Sequence, residues 1–240
     1  MNNLDLYKLA PLNSCVPTLD TIKLITADGE LNKELKDFML NEHQHDLLKD
    51  KKIAILATDG VEEIEILVPL NYLRQVGAKV SVVSPKKEEF PDSFGVKFPE
   101  NRNTHIMTVR LMENSGWLKI DQFLDEVSEN DFDGLVIPGG AWSPDFLRTN
   151  PDAQHLVQSL FITNKPLAVM CHGPLILIDS NLVKGKKMTG YWSIMKDLEN
   201  AGADVRDEPV VIDDNLITSR FPYDIPRFMA AFTKQLMKNS

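Results

Sequence analysis

Short apolar runs alternate along the chain with stretches in which apolar residues recur at helical spacing. The runs at 53–57, 79–84, 134–138 and 167–170 predict strands, and they are short enough to be strands buried on both faces. A further strand is predicted at 105–109. Strands that alternate with helices indicate a parallel sheet covered by helices on both sides.

The first helix is predicted directly after the strand at 53–57. Four apolar residues define its buried stripe: Ile64, Val68, Tyr72 and Val76. Glycine commonly ends a helix, so Gly77 is expected to end this one, and Pro69 is expected to bend it. The predicted sequence of elements is therefore strand, helix, strand from the start of this region.

Later helices are predicted at 120–127, from Pro151 onward, at 193–201 and at the C-terminus. Asn150 and Pro151 are a typical cap and first residue of a helix. The segments 210–212 and 216–219 flank a turn and predict a β-hairpin.

Residues 1–50 differ from the rest of the chain because they are mixed and polar. A helix is possible within 32–48, where Leu35, Phe38, Met39 and Leu47 form a weak apolar stripe. We interpret 1–50 as a partly helical N-terminal extension of unknown role, and 51–240 as an α/β domain.

Charge and cysteine content exclude several classes of protein. The net charge of −9 argues against nucleic acid or an anionic membrane as a partner. No apolar run approaches the roughly 20 residues that cross a bilayer, and the N-terminus does not resemble a secretory signal. The only cysteines are Cys15 and Cys171, so a disulfide scaffold is not expected. A reducing, cytoplasmic location is expected instead.

Cys171 lies between a predicted buried strand and a helix that can begin at Pro174. This is the arrangement of a nucleophile elbow, in which a tight turn lifts a side chain out of the sheet, and Gly173 allows close backbone contact. The helix N-terminus is expected to lower the pKa of the thiol. A lone cysteine is more often structural, but this setting favours a nucleophile.

Two neighbouring motifs supply candidate groups for nucleophilic chemistry. His172 titrates near neutrality and is a candidate general base, although a turn histidine can simply bond to backbone. Gly139 and Gly140 follow a strand and can point N–H groups at an oxyanion, with help from the His172 N–H. Glycine pairs after strands are common, so this second signal alone is weak.

Three acids lie at the start of the first predicted helix: Glu62, Glu63 and Glu65. They can simply complement the helix dipole, or one of them can reach the cysteine. The residues themselves do not indicate which one would do so.

Five segments together resemble the PfpI/ThiJ family, the intracellular protease I family that includes relatives of the Parkinson-disease deglycase. They are KIAILATDGVEEIEILVPL, IPGGAWSPDFLR, AVMCHGP, TGYWSIMKDLENAGA and VVIDDNLITSRFP. The resemblance runs in order from about residue 50 to the end. It implies a flavodoxin-like fold, with the N-terminal extension added to it.

The resemblance also implies roles for particular residues. It places the nucleophile on Cys171, its neighbour on His172 and the thiol-bonded glutamate on Glu62. Asp145 matches a carboxylate that orients the histidine of a neighbouring subunit, which implies a homo-oligomer; alternatively, Asp145 caps its own helix. Tyr191 resembles an aromatic residue that lines the pocket, with ordinary packing as the alternative.

Two functions remain open at this stage. The first is a cofactor-free cysteine hydrolase, either a peptidase or amidase, or a deglycase or glyoxalase that acts on methylglyoxal-type carbonyls in stress protection. Its substrate would be a small carbonyl compound, a peptide or a glycated protein. The second is a non-catalytic redox sensor or chaperone with an oxidisable cysteine. No zinc-ligand pattern or dinucleotide fingerprint is present, so no metal or cofactor is expected.

Overall fold

The computed structural model describes residues 26–27, 29–87, 95, 100–111 and 113–238. The strands of the described part are β1 Lys52–Leu56, β2 Val61–Glu62, β3 Lys79–Ser84, β4 His105–Arg110, β5 Glu113–Lys119, β6 Gln122–Phe123, β7 Gly134–Ile137, β8 Leu167–Met170, β9 Lys187–Met188, β10 Asp204–Val205, β11 Val210–Asp213 and β12 Leu216–Ser219. Its α-helices are α1 Lys33–Leu40, α2 Glu63–Gln75, α3 Trp142–Leu147, α4 Pro151–Ile162, α5 Leu175–Asp179, α6 Met195–Asn200 and α7 Ile225–Lys238.

A seven-stranded sheet in the order β11-β12-β8-β7-β1-β3-β6 forms the centre of the fold. Every neighbouring pair is parallel except β11 and β12, which form the expected antiparallel hairpin. The chain runs from β1 outward to β3 and returns to β7 on the other side of β1. The strand order therefore reverses between β1 and β7, and the carboxyl ends of such strands are where α/β sheets bind ligands.

The core lies on both faces of this sheet, as the apolar strands predict. Ile53 and Ile55 of β1 pack in the cluster that contains α2 and α7, whereas Ala54 and Leu56 pack in the cluster that contains α4, α5 and α6. Successive side chains of a strand point to opposite faces, so a strand covered on both sides must be apolar throughout. The flavodoxin-like arrangement of a helix-covered, mostly parallel sheet is confirmed.

Two predicted helices are wrong in extent or type. The segment 120–127 forms β6 and a 3₁₀ turn, Leu124–Glu126, because Asp121 pairs with the edge of the sheet: its N–H donates to Val82 O at 2.9 Å and its carboxylate accepts from Val82 N at 2.9 Å. The helix considered within 32–48 ends at Leu40, where Asn41 turns extended with ψ 149°. Local polar bonds to the sheet and a change of backbone direction override the weak apolar stripes.

The described part of the extension packs on the face formed by α2 and α7. Leu35 and Leu48 are buried in the core, and Leu48 N donates to Val76 O at 2.8 Å. The ring of Phe38 lies against that of Tyr72, with 4.8 Å between the ring centroids and 39° between the ring planes. Burial of these apolar side chains contributes more to the attachment than the exposed Glu34–Arg227 ion pair, because exposed pairs are screened by water.

Among the residues that the structure describes, no helix combines the length and the apolar character that crossing a membrane requires. Cys15 lies outside the described residues.

Candidate active site

Three loops meet at the carboxyl ends of β1, β7 and β8. Glu62 N donates to Gly139 O at 3.4 Å, which joins the first loop to the second. Gly140 has φ +80°, and a Cβ there would lie 2.3 Å from Gly60 O. The glycine is therefore required by close backbone contact as well as by its conformation. The buried Ser143 fastens the same region, because its hydroxyl accepts from Thr58 N at 3.0 Å.

Cys171 occupies a strained turn at the end of β8. Its φ is +58°, in the left-handed region that non-glycine residues rarely adopt. Its N–H donates to Ser219 O at 3.0 Å, and Gly173 N donates to Met170 O at 2.7 Å, so both sides of the turn are held. A Cβ on Gly173 would meet Ile137 O at 2.8 Å. The predicted elbow is thus present, and its strain is maintained by bonds to the neighbouring strands.

The carboxylate at the sulfur belongs to Glu65, and the expectation for Glu62 is wrong. The Glu65 side chain hydrogen-bonds to Cys171 and accepts from Gly139 N at 2.8 Å. Helical phase decides between the two acids. Glu62 precedes α2 in the extended strand β2, whereas Glu65 is in the first turn of the helix and points back under the elbow. The residues themselves left three acids open, Glu62, Glu63 and Glu65, and the resemblance implied Glu62.

Glu62 instead holds the β4–β5 hairpin. One of its carboxylate oxygens accepts from Leu111 N at 2.9 Å, and its strand pairs with Val109. The other oxygen is buried and has no hydrogen-bond partner among the described residues. Burial is the main reason that the pKa of Glu62 is raised to about 7, against an ordinary 4.5. Glu62 therefore links the hairpin to the site without touching the nucleophile.

The buried pair of Glu65 and Cys171 accommodates little negative charge. Burial raises the pKa of Glu65 to about 8, and burial together with the Glu65 carboxylate raises the pKa of the Cys171 thiol well above its ordinary value. The expected lowering of the thiol pKa by a helix N-terminus is wrong. The helix α5 begins only at Leu175 and has five residues, so its dipole is weak beside the cost of burial.

Two backbone N–H groups face the sulfur, those of Gly140 and His172. The predicted third donor, Gly139, is not available because its N–H is bonded to Glu65. A Cβ on Gly139 would lie 2.5 Å from the Cys171 Cβ, which explains why a glycine is needed there. The N–H groups of Gly140 and His172 therefore remain as the two donors that can form an oxyanion hole.

His172 reaches the sulfur, as the sequence suggested it could. Its Nδ1 lies 3.4 Å from Cys171 Sγ, and its Nε2 lies 3.1 Å from Ser193 Oγ. Tyr191 stacks on the ring with 4.8 Å between centroids and 26° between planes. Burial lowers the pKa of His172, so the ring is neutral at pH 7 and able to accept a proton.

Asp145 lies in the first turn of α3, where its side chain is exposed to solvent. The N-cap residue of this helix is Ala141, and no side-chain hydrogen bond caps the helix there. Within the described part of a single chain, the hydrogen-bond partner of His172 Nε2 is Ser193. The sequence reasoning missed Ser193, although it lies two residues after Tyr191 in the same segment. The role of Asp145 across an interface stays a prediction.

Comparison with known sequences identifies one matching family. The sequence profile of the DJ-1/PfpI family matches residues 51–235. The protein is 38% identical over 179 residues to "Putative cysteine protease YraA" of Bacillus subtilis, which covers 74% of this chain and 94% of the relative. It is 34% identical to "Deglycase PfpI" of Pyrococcus furiosus, over 77% of this chain and 99% of the relative. It is also 34% identical to "Protein/nucleic acid deglycase 2" of Escherichia coli, over 74% of this chain and 93% of the relative.

Solved structures show the same fold. A two-domain protein of Anabaena variabilis with DJ-1/ThiJ/PfpI-like and ferritin-like domains superposes with a TM-score of 0.65 at 37% identity, covering 78% of this chain and 48% of that one. Schizosaccharomyces pombe DJ-1 superposes with a TM-score of 0.61 at 26% identity, covering 78% and 90%. The family match begins at residue 51, so residues 1–50 lie outside it.

We predict that Glu65→Gln changes thiol reactivity chiefly at alkaline pH. Below about pH 8 Glu65 is protonated, and glutamine preserves both a donor toward sulfur and an acceptor for Gly139 N. Above that pH the wild-type carboxylate opposes the thiolate, and glutamine does not. Alkylation of Cys171 by iodoacetamide should be similar in both proteins at pH 6.5 and several-fold faster in the variant at pH 9.

Glu63→Gln is the matched control for this measurement, because Glu63 bonds to Arg110 and not to the sulfur. Equal alkylation rates of Glu65→Gln and the wild type at pH 9 would contradict the assigned contact.

We predict that Glu62→Gln reduces the loss of stability at rising pH. The folded-state pKa of Glu62 is above its unfolded value, so its stabilising contribution is complete below pH 4.5 and is lost as pH rises through about 7. Urea unfolding should show that the free energy of unfolding falls less between pH 5 and pH 8 in Glu62→Gln than in the wild type. The difference between the two decreases should be on the order of 2 kcal/mol. Exposed Glu208→Gln is the control; a decrease equal to that of the wild type would refute the prediction.

Proposed function

The chain belongs to the DJ-1/PfpI family, and we propose that it is a cofactor-free cysteine hydrolase of the PfpI type. The proposal rests on one observation: a cysteine on a strained elbow lies beside a neutral histidine and two backbone N–H donors. A structural cysteine would require none of these three features. Their combination supports nucleophilic attack on a carbon that is bonded to oxygen.

The contacts support a particular order of events. Because the pKa of the thiol is raised, the resting nucleophile is the thiol, and His172 Nδ1 accepts the proton as sulfur attacks. The Gly140 and His172 N–H groups then bind the developing oxyanion. In the amide case the proton passes from Nδ1 to the departing amine, and water releases the acyl group from sulfur as a carboxylic acid.

The substrate belongs to one of two classes, which are peptides or amides and methylglyoxal-type carbonyl adducts of proteins. Two of the three relatives cited above are named deglycases and one is named a cysteine protease. Both reactions begin with the same attack by sulfur. We propose a cytoplasmic location, because a catalytic thiol needs a reducing compartment. We also propose a role in stress protection, for which the deglycase names of two relatives are the support.

The alternative of a redox sensor has less support from the geometry. Peroxide reacts with an accessible thiolate, whereas Cys171 is 6% exposed and its thiol pKa is raised. A sensor also has no need of a base at hydrogen-bond distance from the sulfur. The contact with His172 is therefore the observation that favours the hydrolase.

We predict that Cys171→Ala abolishes turnover without unfolding the chain. The methyl group removes the nucleophile and leaves the glycines and Glu65 around the turn intact. Turnover of methylglyoxal and of a peptide panel should fall to the buffer background, while the circular dichroism spectrum is retained. Cys15→Ser is the matched control and should keep full activity. Unchanged turnover in folded Cys171→Ala would contradict the hydrolase proposal.

As the alternative source of the group that orients His172, we propose Asp145 of a neighbouring subunit, in which case a homo-oligomer shares the active site between its subunits. The exposed position of Asp145 in α3 is compatible with this contact. Mixing inactive Cys171→Ala with inactive Asp145→Ala under subunit exchange should restore part of the activity, because some interfaces then pair an intact cysteine with an intact aspartate. If exchange is demonstrated and no activity returns, Asp145 has no such role.

A further inference from the structure

The ring of His172 is constrained on three sides. Cys171 Sγ lies 3.4 Å from Nδ1, Tyr191 stacks on one face, and Ser193 Oγ lies 3.1 Å from Nε2. Stacking limits the plane of the ring but cannot decide which nitrogen carries the proton. Only the two hydrogen bonds at the edges of the ring can do that.

The position of Ser193 is set by the same segment that supports the elbow. Tyr191 N donates to Cys171 O at 2.8 Å, and a 3₁₀ turn, Trp192–Ile194, follows at once. Ile194 N donates to Tyr191 O at 3.0 Å, and the Ile194 side chain is buried. The hydroxyl of Ser193 is therefore carried on a turn that is anchored both at the nucleophile and in the core.

A base that accepts the thiol proton at Nδ1 must have its lone pair there, which requires the proton of the neutral ring to be on Nε2. We infer that Ser193 is the positioning residue of His172: its hydroxyl accepts a hydrogen bond from Nε2–H and keeps Nδ1 directed at Cys171 Sγ. This inference rests on the proposed hydrolase function. It assigns the single chain its own orienting partner, without an aspartate from a neighbour.

A hydroxyl orients the ring and stabilises its charged form much less than a carboxylate does. The titratable groups that face His172 in the described chain are Cys171 on its own turn, Glu65 of α2 behind the sulfur, and Tyr191 on the stacking face. None of them presents a carboxylate to Nε2. The base therefore stays neutral to lower pH than it would beside an acid, and it is regenerated readily after each proton transfer.

Kinetics of Ser193 variants test this role. Ser193→Ala should lower kcat about tenfold, the value of one neutral hydrogen bond, with KM unchanged within about twofold. Ser193→Thr keeps the hydroxyl and should restore most of kcat. Ser193→Asp should raise the pKa of His172, and because the neutral ring is the base, the acid limb of the pH profile should move up by about one unit. Ser159→Ala, in α4, is the control.

The tautomer provides a readout that does not depend on turnover. Nitrogen-15 shifts of His172, identified among the five histidines by comparison with His172→Asn, should show Nε2–H in the wild type and a mixture of tautomers in Ser193→Ala. An unchanged tautomer in Ser193→Ala, or loss of the Nε2–H form only in Asp145→Ala, overturns the assignment to Ser193. If Cys171→Ala and the wild type are equally inactive, the hydrolase proposal fails while the tautomer result still stands.

Discussion

The carboxyl of Glu65 is the contact on which the rest of the site depends. It bonds to the Cys171 sulfur and accepts from Gly139 N, so one buried group joins α2, the loop after β7 and the turn after β8. A buried carboxyl is costly unless it is bonded, and here both of its partners belong to the site. The requirement to satisfy Glu65 therefore also fixes the distance between the glycine loop and the nucleophile.

The same contact determines how the nucleophile is activated. Two negative charges cannot be accommodated side by side in this buried position, so the Glu65–Cys171 pair retains a proton at neutral pH. The thiol then needs a base at the moment of attack, and His172 is the neutral group at hydrogen-bond distance from it. Burial, which raises the pKa of the thiol, also lowers the pKa of the imidazole. Burial therefore makes the Cys171 thiol the proton donor and the His172 imidazole the base.

The described part of the extension has a structural role that is separate from the site. Leu35 and Leu48 complete the apolar core on the α2–α7 side, and a Cβ on Gly77 would lie 2.5 Å from His45 O. The extension therefore packs against the end of α2, the helix that carries Glu65 at its beginning. Attachment of this described part stabilises that helix without adding any of its own side chains to the site.

The sequence by itself determined six of the seven strands of the central sheet, the elbow and the adjacent histidine. Strands buried on both faces must be apolar throughout, and a cysteine between such a strand and a helix can occupy only a tight turn. It did not determine which of three acids reaches the sulfur, since Glu62 and Glu65 differ only in where the backbone changes from strand to helix. Nor did it give the charge of the thiol or the Ser193 contact. Those depend on burial and on bonds between segments distant in sequence, which only the tertiary structure brings together.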